Sequence, residues 1–397
     1  MTPRFWLPVI LSRFWRRTPL AWRQVTHRPM RLAAAIAGVG FANVLVFFQL
    51  GLSGGLYDSQ KRPIQHINGE LVMVSGRYLY LGEQLNFQRA RLSQALGVQG
   101  VKAVTPLYIG ITEWLNRDNH QQKQALIFGI MPVNPGLRLP EIAQQPDLLQ
   151  RSDSLLFDTR SKANAGPVVS VVRQQGAYAT ELRGVRAVVT GLFTMGVTFA
   201  ADINLITSDT NFKNYFPDQS NDDIQMGVIQ LESGVNPLQV KATLESFLDP
   251  SVKVMTIEQL AETEVKYWRR NTSFGTIFGL GVLVGLAVGC IIVYQILYSD
   301  VGDHLPEYAT LKAIGYDDAF VVGIILQEAL ILAVLAFWPS LFLSLCLYAF
   351  LASSTSLMVV MTTQRAVLVF LFTLVMCSGS GWLATGKLRQ LDPADIF

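Results

Sequence analysis

Four long apolar runs, almost free of charge, constrain this chain more than any other feature. They cover residues 32–57, 274–298, 319–352 and 366–386. No charged residue lies between Arg31 and Asp58, and the third run holds a single charge, Glu328. At a rise of about 1.5 Å per residue, about 20 helical residues cross a hydrocarbon layer about 30 Å thick. Lipid offers the backbone no hydrogen-bond partners, so each run is predicted to be a transmembrane helix. The third run is longer than a span needs and is expected to tilt, to kink at Pro339 or to extend past the bilayer. Half of the 397 residues are apolar and only 15% are charged, against about a quarter charged in soluble proteins. That balance excludes a purely soluble enzyme and a disordered chain.

The runs divide the chain. Residues 1–31 form a basic segment, 58–273 a large block with a stalk, 299–318 and 353–365 short loops, and 387–397 a tail. The formal net charge of +3 hides a segregation. The first segment carries Arg4, Arg13, Arg16, Arg17, Arg23, Arg28 and Arg31 with no acid. Basic residues stay inside, so the N-terminus is predicted to be cytoplasmic. Four spans bring the tail, with Lys387 and Arg389, to the same side and place 58–273 outside. Residues 58–270 balance at 21 basic and 21 acidic side chains. The cytoplasmic 300–318 loop is acidic, with Asp300, Asp303, Glu307, Asp317 and Asp318 against Lys312. The basic region is too long, and the first apolar run too extended, for a cleaved signal peptide. Phe5, Trp6, Phe14, Trp15 and Trp22 among the arginines read as an interfacial amphipathic segment rather than a nucleic-acid contact.

The outer block mixes strand-like and helix-like stretches. Strands are predicted over 70–75, 103–115, 125–130, 168–172, 186–193, 203–207 and 224–231, which are rich in Val, Ile, Leu and aromatics. Helices are predicted over 83–96 and 237–248, the latter with Asn236 as N-cap and Pro237 at its first position. A last helix starts near Thr256, where Thr256 and Gln259 fit a capping box. It is expected to run unbroken toward the second span and to join the outer domain rigidly to the membrane. The fold class is therefore an α+β membrane protein: four transmembrane helices in a 1+3 arrangement, with a large α+β extracytoplasmic domain between the first two. Cys290, Cys346 and Cys377 all lie in the spans, so the outer domain has no disulfide.

Catalytic chemistry is not legible. His27, His66, His120 and His304 are scattered and show no metal-ligand spacing. Gly381 to Lys387 has the glycine and lysine spacing of a phosphate-binding loop, but no Ser or Thr follows the lysine and an apolar helix precedes it. It reads as the foot of the fourth span. No catalytic residue, metal ligand or bound cofactor is assigned, and the chain is expected not to be an enzyme. Two features of the spans stand out. Gly275 and Gly279 form one small-residue pair, and Gly281, Gly285 and Gly289 a second row, a spacing that lets helices pack closely. Glu328 is an intramembrane carboxylate, read either as a buried structural group or as an ion-coupling one.

The loop Asp303-His-Leu-Pro-Glu307-Tyr-Ala-Thr-Leu-Lys312-Ala-Ile-Gly315-Tyr-Asp-Asp318 resembles the cytoplasmic coupling segment of FtsX-like, MacB-type ABC permeases. In that segment an acidic residue begins a short helix that ends in a glycine turn. The tail Leu391-Asp-Pro-Ala-Asp-Ile396 resembles their C-terminal signature, and Gly191-Leu-Phe-Thr-Met-Gly-Val-Thr-Phe-Ala-Ala-Asp202 is similar to the DevC subgroup. Unlike MacB, the sequence has no fused nucleotide-binding domain. The resemblance implies a permease subunit in the inner membrane, working as a homodimer with a separate ABC ATPase that binds ATP and Mg. It further implies a periplasmic adaptor, a TolC-like outer-membrane channel, and export of lipid-like or other amphiphilic cargo such as glycolipid. Glu307, Leu311, Lys312 and Gly315 then fall at the ATPase-coupling positions. The same topology also suits an FtsX-like signalling scaffold that controls a periplasmic partner, or a lipoprotein-releasing permease. Apart from the bilayer no further partner class is implied, and nucleic acid is not one.

Overall fold

The computed structural model describes residues 20–83, 85–144, 146–196, 198, 201–354 and 359–386. Most of the basic segment, the tail with Lys387 and Arg389, and the 391–396 signature lie outside the described residues. The chain divides into two units: Gly55–Ser273 with Ser354–Met358, and the remainder.

The second of these units holds the membrane helices. Four helices are long and apolar enough to cross a bilayer: Pro29–Gln65, Phe274–Asp303, Asp318–Ser354 and Thr363–Ala384. The fourth starts where the Thr362 side chain accepts a hydrogen bond from the Arg365 N–H. The first helix continues past the predicted end at residue 57, because Ile64 is buried in a core cluster with Leu107, Leu126 and Met226.

The glycine rows separate by function. A side chain at Gly281 would strike Gln49, one at Gly285 would come within 3.1 Å of Val46, and one at Gly289 would strike Met376 and Ala42. This row therefore seats the second span on the first, with the fourth alongside. Gly279 has nothing within 4 Å of its missing side chain, so it takes no part in that packing. Midway along the helices, Asn43 Nδ2 donates to Ser340 Oγ at 3.3 Å, and Thr373 Oγ1 donates to Asn43 Oδ1 at 2.8 Å. One amide thus ties three spans together. Tyr348 adds a hydrogen bond from its hydroxyl to the Phe47 carbonyl.

The other unit is the α+β domain. We label its strands β1 (Leu71–Ser75), β2 (Phe87–Gln88), β3 (Val101–Leu115), β4 (Gln122–Ile130), β5 (Ser154–Asp158), β6 (Tyr178–Leu182), β7 (Val185–Phe193), β8 (Ile203–Ser208), β9 (Asp223–Ile224), β10 (Met226–Leu231) and β11 (Val252–Thr256). Nine of them form one mixed sheet in the order β11-β1-β10-β3-β4-β8-β5-β7-β6, and β2 pairs with β9. The long β3 gives the sheet its form. Residues 101–107 pair with β10 and residues 108–115 with β4. At its far end Trp114 pairs with Leu182 of β6, so the last six strands close on themselves. Trp114 is fully buried, stacks near Phe157 and Tyr178, and donates its indole N–H to the Ala165 carbonyl at 3.1 Å. One core lies on each side of the sheet, one around Leu71, Tyr108 and Trp114 and one around Val72, Leu107 and Phe128.

Three sequence expectations need correction. Residues 168–172 are not a strand but the start of the helix Val168–Gln175. Val168 and Val172, one turn apart, are its buried positions, and Gly176 at φ +80° ends it. Residues 83–96 are not one helix: Phe87 and Gln88 pair with Ile224 and Asp223, and the helix is confined to Arg89–Ala95. The helix from Thr256 keeps its capping box, but it ends at Asn271. Thr272 is extended (φ −121°, ψ 146°), so the helix is not continuous with the second span. Strands β5, β6 and β11 were not foreseen.

Inside this domain the loop after β1 is fastened to the helix Ile257–Asn271 through Glu264. Its buried carboxylate accepts from the Tyr78 hydroxyl at 2.6 Å, the Leu81 N–H and the Trp268 indole. Burial outweighs these three donors and pushes the Glu264 carboxyl from 4.5 up to about 7.

Two measurements test this packing. In detergent-solubilised full-length protein, Gly289→Leu is expected to lower the thermal midpoint by the equivalent of about 1–3 kcal/mol of overpacking, while Gly279→Leu leaves it unchanged. Equal effects would refute the assignment of the two rows. Between pH 4.5 and 7 the folded protein binds more protons at Glu264 than the unfolded chain. The Glu264 contribution to stability is therefore full below pH 4.5 and is lost as pH rises through 7, on the order of 3 kcal/mol. Chemical denaturation of wild type and Glu264→Gln across that window checks it; the variant loses this part of the slope.

Candidate functional site

The candidate site lies at the predicted cytoplasmic ends of the membrane helices. Residues 20–27 are helical and lead into the first span. From this segment Arg28 Nη1 reaches Asp303 Oδ2 at 2.5 Å, and Arg31 Nη1 reaches Asp303 at 2.6 Å and Asp300 at 3.5 Å. Arg31 Nη2 also donates to Ser299 Oγ at 2.9 Å. Much of the acid excess read in the 300–318 loop is thus neutralised by the basic segment before the first span. Glu328 is buried and faces Asp300 at a cavity of about 40 Å³, lined also by Gln24, Arg28 and Arg31.

The loop itself is a short helix, Leu305–Ala313, with Pro306 in its first turn. Glycine 315 ends it in the left-handed region, at φ +102°. The Tyr316 N–H bonds back to the Leu311 carbonyl at 3.1 Å and the Gly315 N–H to the Lys312 carbonyl at 3.0 Å. That double bond pattern is a Schellman turn, which any residue with a Cβ would strain at Gly315. Lys312 Nζ pairs with Asp318 Oδ1 at 2.7 Å, linking the end of the short helix to the start of the third span. The inner face packs Tyr308 against Val301, Val321 and Ile325, with Leu305 and Leu311 alongside. Burial pushes the Tyr308 phenol far above its ordinary value, with help from the neighbouring carboxylates Glu328, Asp300 and Glu307, so it stays a neutral hydroxyl. The outer face exposes Pro306, Glu307, Thr310, Ile314 (71%) and Tyr316 (46%). The Gln24 amide approaches Glu307 Oε2 at 3.4 Å.

The structure therefore separates the four coupling residues. Glu307 lies on the exposed face, whereas Leu311, Lys312 and Gly315 shape and hold the helix. Ile314 and Tyr316 are the exposed apolar residues that sequence reasoning missed; their signal was their position beside a turn glycine. Asn43 was missed as well, although it lies inside an apolar run.

The Gly191–Asp202 motif has a structural account, with residues 197, 199 and 200 outside the described set. Asp158, fully buried at the end of β5, accepts from the Gly196 N–H at 2.6 Å, the Met195 N–H at 3.2 Å and Asn204 Nδ2 at 3.0 Å. Lys162 pairs with Asp202. Gly196, at φ +97°, leaves room for the Arg62 guanidinium. The motif's described residues fold a loop. Gly381 of the phosphate-loop look-alike is helical and packs on Ala329, and Lys387 lies outside the described residues. Among the described residues, no group of three or more His, Cys, Asp or Glu side chains is placed to hold a metal ion.

Residues 274–393 match the family of FtsX-like permease C-terminal domains. The match takes in the second, third and fourth spans and the short helix between them, so this part of the chain is similar to the C-terminal part of FtsX-like permeases. No curated protein matches the chain. Three solved structures are similar to about half of the chain. The periplasmic region of MacB from Actinobacillus actinomycetemcomitans is 12% identical over 50% of this chain and 93% of its own, with a TM-score of 0.35. The extracellular domain of the noncanonic ABC-type transporter YknZ from Gram-positive bacteria is 14% identical over 47% and 100%, TM-score 0.32. A domain of a permease protein from Porphyromonas gingivalis is 15% identical over 47% and 87%, TM-score 0.27.

A double-mutant cycle tests the arginine clamp. Arg31→Ala and Asp303→Ala are each expected to lower the thermal midpoint of the full-length protein, and the double variant to lose less than the sum of the two. Strictly additive losses would show that the pair contributes nothing.

Proposed function

We propose that the chain is the noncatalytic permease subunit of an ABC exporter. It transmits motion from a separate ATPase chain, which binds ATP and Mg, to the outer domain. One observation carries this reading. Inside the FtsX-like segment, the helix Leu305–Ala313 is locked between the second and third spans by a Schellman turn and an ion pair, yet leaves Pro306, Glu307, Thr310, Ile314 and Tyr316 exposed. A short rigid helix with one apolar, exposed face is suited to docking on another protein. The arginine clamp supports the reading: motion of the docked helix would pass both to the second span and to the start of the first.

The finer reading is DevC-type. Two permease copies pair with two ATPase copies, and the outer domain works with a periplasmic adaptor and a TolC-like channel to expel lipid-like or other amphiphilic cargo. Both termini are cytoplasmic and the 58–273 block is periplasmic, in keeping with the seven N-terminal arginines.

The test is copurification of the full-length chain with the ATPase encoded beside it, followed by measurement of ATP turnover. Ile314→Asp and Glu307→Arg are expected to weaken ATPase capture at least tenfold, equivalent to about 1.4 kcal/mol or more. The exposed outer-domain variant Val133→Asp leaves capture intact. Undiminished capture and turnover in both helix variants would sink the coupling assignment. Capture of the outer domain by a cell-wall hydrolase alone, with no adaptor bound, would replace export with signalling.

A further inference from the structure

We propose that Glu328, Asp300 and the Gln24 amide oxygen bind a monovalent alkali cation where the first, second and third membrane helices meet. The inference needs neither an ATPase nor a cargo, so it is independent of the transport reading.

The site starts from a charge that no neighbour answers. Glu328 is 1% exposed, and neither of its carboxylate oxygens has a hydrogen-bond donor among the described residues. The charges that face it are further acids: Asp300 at the end of the second span and Glu307 on the short helix. The basic side chains nearby are engaged elsewhere. Arg28 and Arg31 both close on Asp303, and Arg31 reaches Asp300 only at 3.5 Å. Lys312 pairs with Asp318. His304 faces Asp300 rather than Glu328. Asp300, Asp303, Glu307 and Glu328 therefore outnumber the two arginines that reach into this cluster. A buried carboxylate without a counter-charge is strongly destabilising, so the arrangement calls for a positive charge beside Glu328.

The neutral groups point the same way. The Gln24 amide nitrogen turns to Glu307 Oε2 at 3.4 Å, which leaves Oε1 to face the cavity. That oxygen is buried and has no partner, and Gln24 lines the same cavity as Asp300 and Glu328. The Tyr308 hydroxyl neighbours the same carboxylates, but its one proton can answer one oxygen at most. Two carboxylates and an amide oxygen, all acceptors, thus converge from segments far apart in the chain. Oxygen sets of this kind are ligands of hard cations. The cavity of about 40 Å³ has room for a small ion with a water or two. A single positive charge suits it, because Arg31 already offsets part of Asp300. Among the described residues no three His, Cys, Asp or Glu side chains converge as a divalent metal site would require. A cation here would fasten the same helix ends as the arginine clamp.

The experiment uses detergent-solubilised full-length protein at pH 8 in choline chloride, free of sodium and potassium. Sodium chloride or potassium chloride then replaces choline at constant ionic strength. At least one of the two ions is expected to raise the thermal midpoint by several degrees, growing with the logarithm of its concentration as a bound ligand requires. Glu328→Gln is expected to match or exceed the wild-type midpoint in choline, since it removes the unanswered charge, and to lose the response to the ion. Radioactive sodium is expected to bind wild type saturably, to be displaced by excess unlabelled sodium but not by choline, and not to bind Glu328→Gln. Equal midpoints in all three salts overturn the proposal, as does an ion response that survives in Glu328→Gln. A midpoint that follows pH but ignores both ions also overturns it, and assigns Asp300 and Glu328 a shared proton instead.

Discussion

Hydrocarbon offers no partner to a backbone amide or a charged side chain, and the membrane unit is arranged around that constraint. Its backbone groups are satisfied within long helices. Several polar side chains bond across them: Asn43 with Ser340 and Thr373 midway, and Tyr348 with the Phe47 carbonyl. Charges gather where the first span begins and the second ends, and there Arg28 and Arg31 meet Asp300 and Asp303. Glu328 lies next to that cluster rather than alone in lipid, which makes its position intelligible as part of a polar end of the helices.

In the outer domain two buried carboxylates do similar work on loops. Asp158 gathers the N–H groups of Met195 and Gly196, and Glu264 gathers the Leu81 N–H, the Tyr78 hydroxyl and the Trp268 indole. Each replaces the water that a turning backbone would otherwise need. With no cysteine in this domain, such hubs and the two apolar cores hold it together. The two connections to the membrane helices differ in local structure. The first span continues as helix to Gln65, whereas the chain before the second span is extended at Thr272. A reading in which motion is carried outward by the helix before the second span must therefore include a joint there; the unbroken helix is the first one.

The coupling helix shows how far local sequence reaches. The short helix with its turn at Gly315 is what the family resemblance implies, and the residue types agree with it, because proline suits a first turn and glycine suits a left-handed cap. That Lys312 faces Asp318 while Glu307 faces outward was not visible, since it depends on how the third span returns past the helix. The valines at 168–172 misled for a related reason. Their β-branched character favours a strand, but burial at one-turn spacing on the sheet made them helical. Phe87 likewise left a predicted helix because a distant strand, β9, offered a pairing.

By itself the sequence determined the four spans, the α+β character of the block between the first two, the capping box at Thr256, and the segregation of charge. Hydropathy over twenty residues and the backbone freedom of glycine are local properties that neighbours scarcely alter. Only the tertiary structure decided which glycines pack and which stay open, that the N-terminal arginines clamp the acidic loop, that Asp158 and Glu264 organise loops, and that the stalk helix breaks at Thr272. Each of these depends on groups far apart in the chain, whose meeting is set by packing and by the cost of leaving a buried polar atom without a partner.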